Sequence, residues 1–117
     1  MKILFIGAVK FSESILSELI RLNSNVVGVC TVSESIANFD HCSLSIIAAD
    51  AGIPICLTPN INCIEAVAWI KDRNPDIIFC FGWSQLIKKP LLDLAPLGVV
   101  GYHPSALPEN RGRHPLI

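Results

Sequence analysis

The sequence lacks several features that would assign the protein to a common class. No apolar run reaches the roughly 18 residues that indicate a membrane span, and Met1-Lys2 leads directly into a strand-like run instead of a cleavage-type signal. The net charge of −1 gives no electrostatic basis for general nucleic-acid binding. The 5 cysteines contain no Cys-x-x-Cys pair, so the pattern predicts reduced thiols and no metal site. We therefore expect a cytoplasmic protein without a membrane partner.

A glycine-rich phosphate loop is also missing. The first strand-like run ends at Gly7, and the turn from Gly7 to Ser12 contains no Gly-x-Gly-x-x-Gly. This absence argues against a nicotinamide-binding Rossmann domain. We expect Ser12 to be the N-cap of the first helix, because a serine hydroxyl can accept a hydrogen bond from a free backbone N–H group there.

Strand-like and helix-like patterns alternate along the whole chain. Short apolar runs typical of strands buried on both faces occur at 2–6, 26–31, 53–57, 76–81 and 98–102. Helical patterns occur from Ser12, at 43–51 before Gly52, from Asn60 or Asn62 to Arg73, and briefly at 82–85. Alternation of this kind predicts an α/β, Rossmann-like three-layer domain, with a five-stranded, predominantly parallel sheet and helices on both faces. We expect strand 98–102 near the middle of that sheet.

The stretch after the last apolar run contains a titratable group in a stiff segment. His103 follows the strand directly, and Pro104, Pro108 and Pro115 restrict the residues that precede them to extended geometry. Open α/β sheets bind ligands at the carboxyl ends of their strands. Strand alternation places Gly101 and His103 on the same face. The sequence therefore predicts that chemistry centres on His103.

This stretch resembles the signature of the folate-dependent formyltransferases, Asn-x-His-x-Ser-Leu-Leu-Pro, often followed by Arg-Gly and a proline. The matching residues are His103, Ser105, Leu107, Pro108, Arg111, Gly112 and Pro115. Ala106 replaces the first leucine, and Gly101 stands at the position of the family's catalytic asparagine. The resemblance implies the formyltransferase fold, 10-formyltetrahydrofolate as the formyl donor, and a primary amine as the acceptor.

The resemblance also implies roles for individual residues. His103 would stabilise the tetrahedral oxyanion and move the amine proton. Gly101 supplies no side-chain donor, so another group or a water replaces the asparagine, or the protein is a weak or inactive relative. A folate- or nucleotide-binding module without catalysis is thus the alternative to an enzyme. The scaffold residues implied are Ser105, Leu107, Pro108 and Gly112.

Two further sets of residues are predicted to bind ligands. The family uses the strand end and the loop corresponding to Phe81, Gly82, Trp83, Ser84, Gln85, Leu86 and Ile87 to hold the pterin ring of the folate. Buried packing is the alternative role for Trp83. Phosphate groups of the acceptor would meet Lys10, Arg111 and Arg113, for which the alternative is ordinary solvated surface charge.

The acceptor and the extent of the domain follow from the same resemblance. We expect a small phosphate-bearing amine, an amino sugar on a nucleotide, with methionyl-tRNA as the alternative acceptor and nucleic acid unlikely for this segment. Residues 1–117 are expected to be the truncated N-terminal part of the catalytic domain and inactive alone, because the family's essential aspartate lies beyond the signature. An exposed strand edge at Val99-Val100 would favour a homo-oligomer.

Overall fold

Strands and helices alternate through residues 1–33 and 41–102, which are the residues that the computed structural model describes. The strands are β1 (Ile3–Ile6), β2 (Val26–Thr31), β3 (Ile55–Leu57), β4 (Ile77–Phe81) and β5 (Val99–Tyr102). The helices are α1 (Lys10–Arg21), α2 (Ser45–Asp50), α3 (Ile64–Arg73) and α4 (Lys89–Leu92). Each predicted strand is present, with its ends moved by at most two residues.

The strands form a single parallel sheet in the order β3-β2-β1-β4-β5. The chain builds outward from β1 on one side, then crosses back to add β4 and β5 on the other. The order therefore reverses between β1 and β4, as in doubly wound nucleotide-binding folds. The α/β prediction with a parallel sheet is confirmed.

The predicted position of strand 98–102 is wrong within this sheet. Of the described strands, β5 pairs only with β4, so it lies at an edge. An apolar run shows that a strand is covered on its faces but does not reveal its neighbours, which are set by the direction of the crossover. Self-association through this edge stays a prediction.

Two hydrophobic layers cover the sheet, as expected for a three-layer domain. Leu4 and Ile6 of β1 point into one core, and Phe5 points into the other. The first core is completed by residues of α3 and α4, including Ile70 and Leu91. The second core is completed by residues of α1 and α2, including Leu16 and Ala48.

The helix boundaries correct three local predictions. Helix α1 begins at Lys10, so Ser12 lies inside its first turn and is not the N-cap. Helix α3 begins after Cys63, whose sulfur accepts a hydrogen bond from the Ala66 N–H group at 3.4 Å, so neither predicted asparagine caps it. Residues 82–85 form no helix, because side-chain hydrogen bonds to a neighbouring loop hold them in an irregular path.

Candidate functional site

The carboxyl ends of β1 and β4 define a crevice at the point where the strand order reverses. The Ala8 N–H group, just after β1, donates to the Gly82 carbonyl, just after β4, at 3.1 Å. Ligands of open α/β sheets bind at such switch points. The loop 82–88 and the first turn of α1 therefore border the candidate site.

Three small residues bring α1 against the end of β4. The buried Ser12 hydroxyl donates to the Phe81 carbonyl at 2.5 Å and accepts from the Val9 N–H group at 3.2 Å. A Cβ atom at Gly7 would lie 2.5 Å from the Phe81 oxygen and from Ser12 Cβ. A Cβ atom at Gly82 would lie 2.3 Å from Ser12 Oγ and from Val9 Cγ2. Both positions therefore require glycine.

The loop that follows β4 contains both buried and exposed side chains. Trp83 is only 6% exposed and packs in the core beside α3, as in the packing alternative given above, and its predicted folate contact stays a prediction. Ile87 also packs against this core, whereas Leu86 is 79% exposed and Ser84 is exposed. Of the predicted folate contacts, Ser84 and Leu86 are thus the two side chains most available to a ligand.

The loop 82–88 is held by the loop 58–63, which precedes α3. Gln85 Oε1 accepts hydrogen bonds from the Ile61 N–H group at 2.7 Å and from Trp83 Nε1 at 3.0 Å. Asn62 Nδ2 donates to the Leu86 carbonyl at 2.9 Å, and Asn62 Oδ1 accepts from the Lys88 N–H group at 3.0 Å. Sequence reasoning treated the asparagines of this segment only as helix caps, because no local pattern reveals a contact about 25 residues away.

Phe81 contributes its backbone to the crevice and its ring to the opposite core. The ring stacks on Phe5 at 6.1 Å between centroids and meets the edge of Phe79 at 5.7 Å. Its carbonyl is the group bonded to Ser12. The ring therefore packs among aromatic neighbours beneath α1.

Lys10 lies at the start of α1, on the border of the crevice. Its side chain is 86% exposed, and its Nζ lies 3.2 Å from Glu13 Oε1. An exposed ion pair of this kind is weak, so the ammonium group can be shared with an anion. Its predicted phosphate contact stays a prediction.

Strand β5 ends at the same edge of the sheet as β4. Gly101 lies opposite Cys80, and Tyr102 lies opposite Phe81, the last residue of β4. The chain thus leaves β5 beside the loop 82–88. The predicted site residues that follow β5 lie outside the described part of the chain, and their roles stay predictions: His103, Ser105, Leu107, Pro108, Arg111, Gly112 and Arg113.

The Gly101 backbone adds a finding that the sequence did not suggest. A Cβ atom built there would lie 2.5 Å from the Cys80 carbonyl oxygen, which belongs to the neighbouring strand. A side chain at this position therefore requires β5 to move relative to β4.

Two cysteines face each other across β2 and β3. Cys30 and Cys56 are partners in the sheet register, and Cys30 is fully buried. A thiol hydrogen bond from Cys30 lowers the pKa of Cys56 to about 7, whereas this bond and burial raise the pKa of Cys30. Burial raises the pKa of Cys80 to about 12. All 5 cysteines are free thiols.

Residues 1–33 and 41–102 contain no group of three or more side chains arranged to hold a metal ion. No helix in those ranges is long and apolar enough to cross a membrane.

The sheet order and the crevice define a Rossmann-like α/β domain with a candidate site at the switch point. A profile of the family described as "Formyl transferase" matches residues 1–116. The chain belongs to this family, as the signature after β5 indicated.

Similar proteins agree with this assignment. The chain is 30% identical to a methionyl-tRNA formyltransferase of Thermotoga sp. (strain RQ2), over 99% of this chain and 38% of that protein. It is 28% identical to the methionyl-tRNA formyltransferase of Thermotoga neapolitana, with the same coverage. The chain thus spans 38% of the length of these relatives.

A solved structure supports the fold. The glycinamide ribonucleotide transformylase 1 of Geobacillus kaustophilus superposes with a TM-score of 0.67 at 18% identity. The superposition covers 96% of this chain and 62% of that one.

Proposed function

We propose that the polypeptide containing this chain transfers a formyl group from 10-formyltetrahydrofolate to a primary amine. The observation that carries the proposal is the family match over residues 1–116. The crevice at the switch point supports it, because the loop 82–88 and the end of β5 border the same edge of the sheet.

The loop 82–88 has features that suit a pterin ring. A pterin is a flat heteroaromatic group with a face to cover and an edge of hydrogen-bonding atoms. The exposed side chain of Leu86 offers apolar cover. Within the described residues, no hydrogen bond engages the backbone of Ser84, so its N–H and C=O groups are free for the ring edge. These two residues are the proposed folate contacts.

The transfer itself needs a nucleophile, a donor to the oxyanion and a route for one proton. The amine nitrogen attacks the formyl carbon, the bond from that carbon to N10 breaks, and tetrahydrofolate leaves with a proton from the amine. We assign the proton transfer and the oxyanion contact to His103. Gly101, at the position of the family's asparagine, provides no side-chain donor.

The acceptor that we propose is methionyl-tRNA. The two relatives above are named for this acceptor and match almost the entire chain, and nothing comparable favours the amino sugar predicted from the sequence. The net charge of −1 counts only this chain, which spans 38% of the length of these relatives, so it does not argue against a tRNA acceptor for the whole polypeptide.

The test is a formyl-transfer assay with alternative acceptors. The purified polypeptide is incubated with 10-formyltetrahydrofolate and either methionyl-tRNA, uncharged tRNA or an amino-sugar nucleotide, and formylated product is measured by mass spectrometry. We expect product only with methionyl-tRNA and none from a His103→Ala variant. If product forms only from the amino-sugar nucleotide, methionyl-tRNA is wrong as the acceptor and the amino sugar takes its place. Folate binding without any product would indicate a non-catalytic relative.

A further inference from the structure

We propose that Gln85 and Asn60 are positioning residues for the reduced folate: they hold the loop 82–88 in the shape that receives the pterin ring, without contacting the ring themselves. This inference rests on the proposed function. It changes the role of Gln85, which the sequence placed among the folate contacts, and adds Asn60, which the sequence placed at a helix cap.

The Gln85 amide is already engaged within the protein. Its oxygen accepts from the Ile61 N–H group at 2.7 Å and from Trp83 Nε1 at 3.0 Å, and its nitrogen donates to Asn60 Oδ1 at 3.4 Å. A carboxamide oxygen has two lone pairs, so both are used. The side chain therefore links the two loops, and its oxygen has no lone pair free to accept a hydrogen bond from a ligand.

Asn60 connects this link to the sheet. Asn60 Oδ1 also accepts from the Asn62 N–H group at 3.0 Å, and the Asn60 N–H group donates to Thr58 Oγ1 at 3.1 Å. Thr58 is buried, and its own N–H group donates to the carbonyl of Thr31, the last residue of β2, at 2.9 Å. A continuous series of hydrogen bonds thus runs from β2 to the indole of Trp83.

Asn62 fixes the far end of the same loop. Its side chain accepts from the Lys88 N–H group at 3.0 Å and donates to the Leu86 carbonyl at 2.9 Å. Leu86 is therefore held by its backbone while its side chain projects outward. The loop has no helix or strand of its own, so these side-chain bonds define its path.

Preorganisation gives this arrangement a measurable consequence. A loop that is ordered before binding does not lose its conformational freedom when the ligand arrives. Breaking the link would weaken reduced-folate binding by about tenfold, the change expected from reordering a few residues. Positioning also predicts rescue, since Asn60 acts through an acceptor oxygen that an aspartate retains.

The experiment uses Trp83 as the probe of the loop and 5-formyltetrahydrofolate as the ligand. The chain contains 2 tryptophans, so within residues 1–117 a Trp69→Phe background leaves Trp83 as the emitting tryptophan, and any tryptophan elsewhere in the polypeptide contributes equally to every variant. In that background, Asn60→Ala, Asn60→Asp and Gln85→Leu are compared for Kd by calorimetry and for the emission maximum. Gly52→Ala is the control for destabilisation away from the site, because open space surrounds this position.

The expected result is a Kd raised about tenfold and a red-shifted Trp83 emission in Asn60→Ala and Gln85→Leu. Asn60→Asp and Gly52→Ala should keep the parent Kd. If Gln85→Leu does not fold, the exposed position of Asn60 keeps the comparison valid. If the parent protein binds the folate and Asn60→Ala binds it with the same Kd, this inference is overturned and the proposed function is not. A parent that binds no folate would overturn the proposed function, and the inference with it.

Discussion

Gly82 provides the sharpest test of how the crevice is built. Its φ of +77° is in the left-handed region, and a Cβ atom there would lie 2.3 Å from Ser12 Oγ and Val9 Cγ2. Gly52 has nearly the same φ, +74°, but a Cβ atom there meets nothing within 4 Å. Gly82→Ala and Gly52→Ala therefore share the conformational cost and differ in the available space.

The magnitude follows from these two contributions. A left-handed conformation costs an L-residue about 1–2 kcal/mol, which both variants incur. Overpacking costs about 1–3 kcal/mol more, and only Gly82→Ala incurs it. We expect the free energy of unfolding to fall by about 1–2 kcal/mol in Gly52→Ala and about 2–5 kcal/mol in Gly82→Ala. The reduced entropy of the unfolded chain is the same in both and cancels.

Urea unfolding followed by circular dichroism measures both variants, with the parent protein as reference. Gly98→Ala is a second control, because its φ is +82° and a Cβ atom there also meets nothing within 4 Å. Equal stability of Gly82→Ala and the two controls, within about 0.5 kcal/mol, would refute the close contact between α1 and the end of β4.

Three other predictions concern the residues around the crevice and the sheet. Ser12→Ala should lower the free energy of unfolding by about 1–3 kcal/mol, because two partly buried backbone groups lose their partner. Exposed Ser14→Ala should change it by less than about 0.5 kcal/mol, and urea unfolding compares the two variants. The rate at which iodoacetamide alkylates Cys56 should rise with pH with a midpoint near pH 7, since the thiolate is the reacting form. Cys30→Ala should move that midpoint toward about pH 8.5. A midpoint that does not move would exclude the thiol hydrogen bond. Gly101→Ala should cost about 1–3 kcal/mol in the same unfolding assay, and an unchanged stability would contradict the close approach of β5 to β4.

The parallel sheet could be predicted because its strands are covered on both faces. The run 26–31 contains no charged residue and only one polar side chain, Thr31, and it is observed as β2, Val26–Thr31. Gly52 follows α2 with a positive φ, as is common for a glycine that comes directly after a helical pattern. Such features depend on neighbouring residues, so a single sequence contains the information.

The features that could not be predicted depend on contacts between distant residues. Ser12 resembles a helix cap locally, but its hydroxyl bonds the Phe81 carbonyl, 69 positions away. Gln85 resembles a loop residue free to bind a ligand, but the loop 58–63 occupies its side chain. The edge position of β5 is set by the crossover and not by its composition. The spacing of apolar residues along the sequence reveals none of these contacts.

Gly101 shows how such a contact changes the interpretation of a motif. Compared with the family signature alone, glycine at this position looks like the loss of one catalytic side chain, which an asparagine would restore. The backbone indicates a different cause, because a Cβ atom at Gly101 would lie 2.5 Å from the Cys80 carbonyl. Gly101→Asn would therefore displace β5 before its amide could act, so a lack of activity in that variant would not distinguish an inactive relative from a compensated enzyme. Activity with methionyl-tRNA of the polypeptide that contains the unaltered chain, compared with its His103→Ala variant, distinguishes them directly.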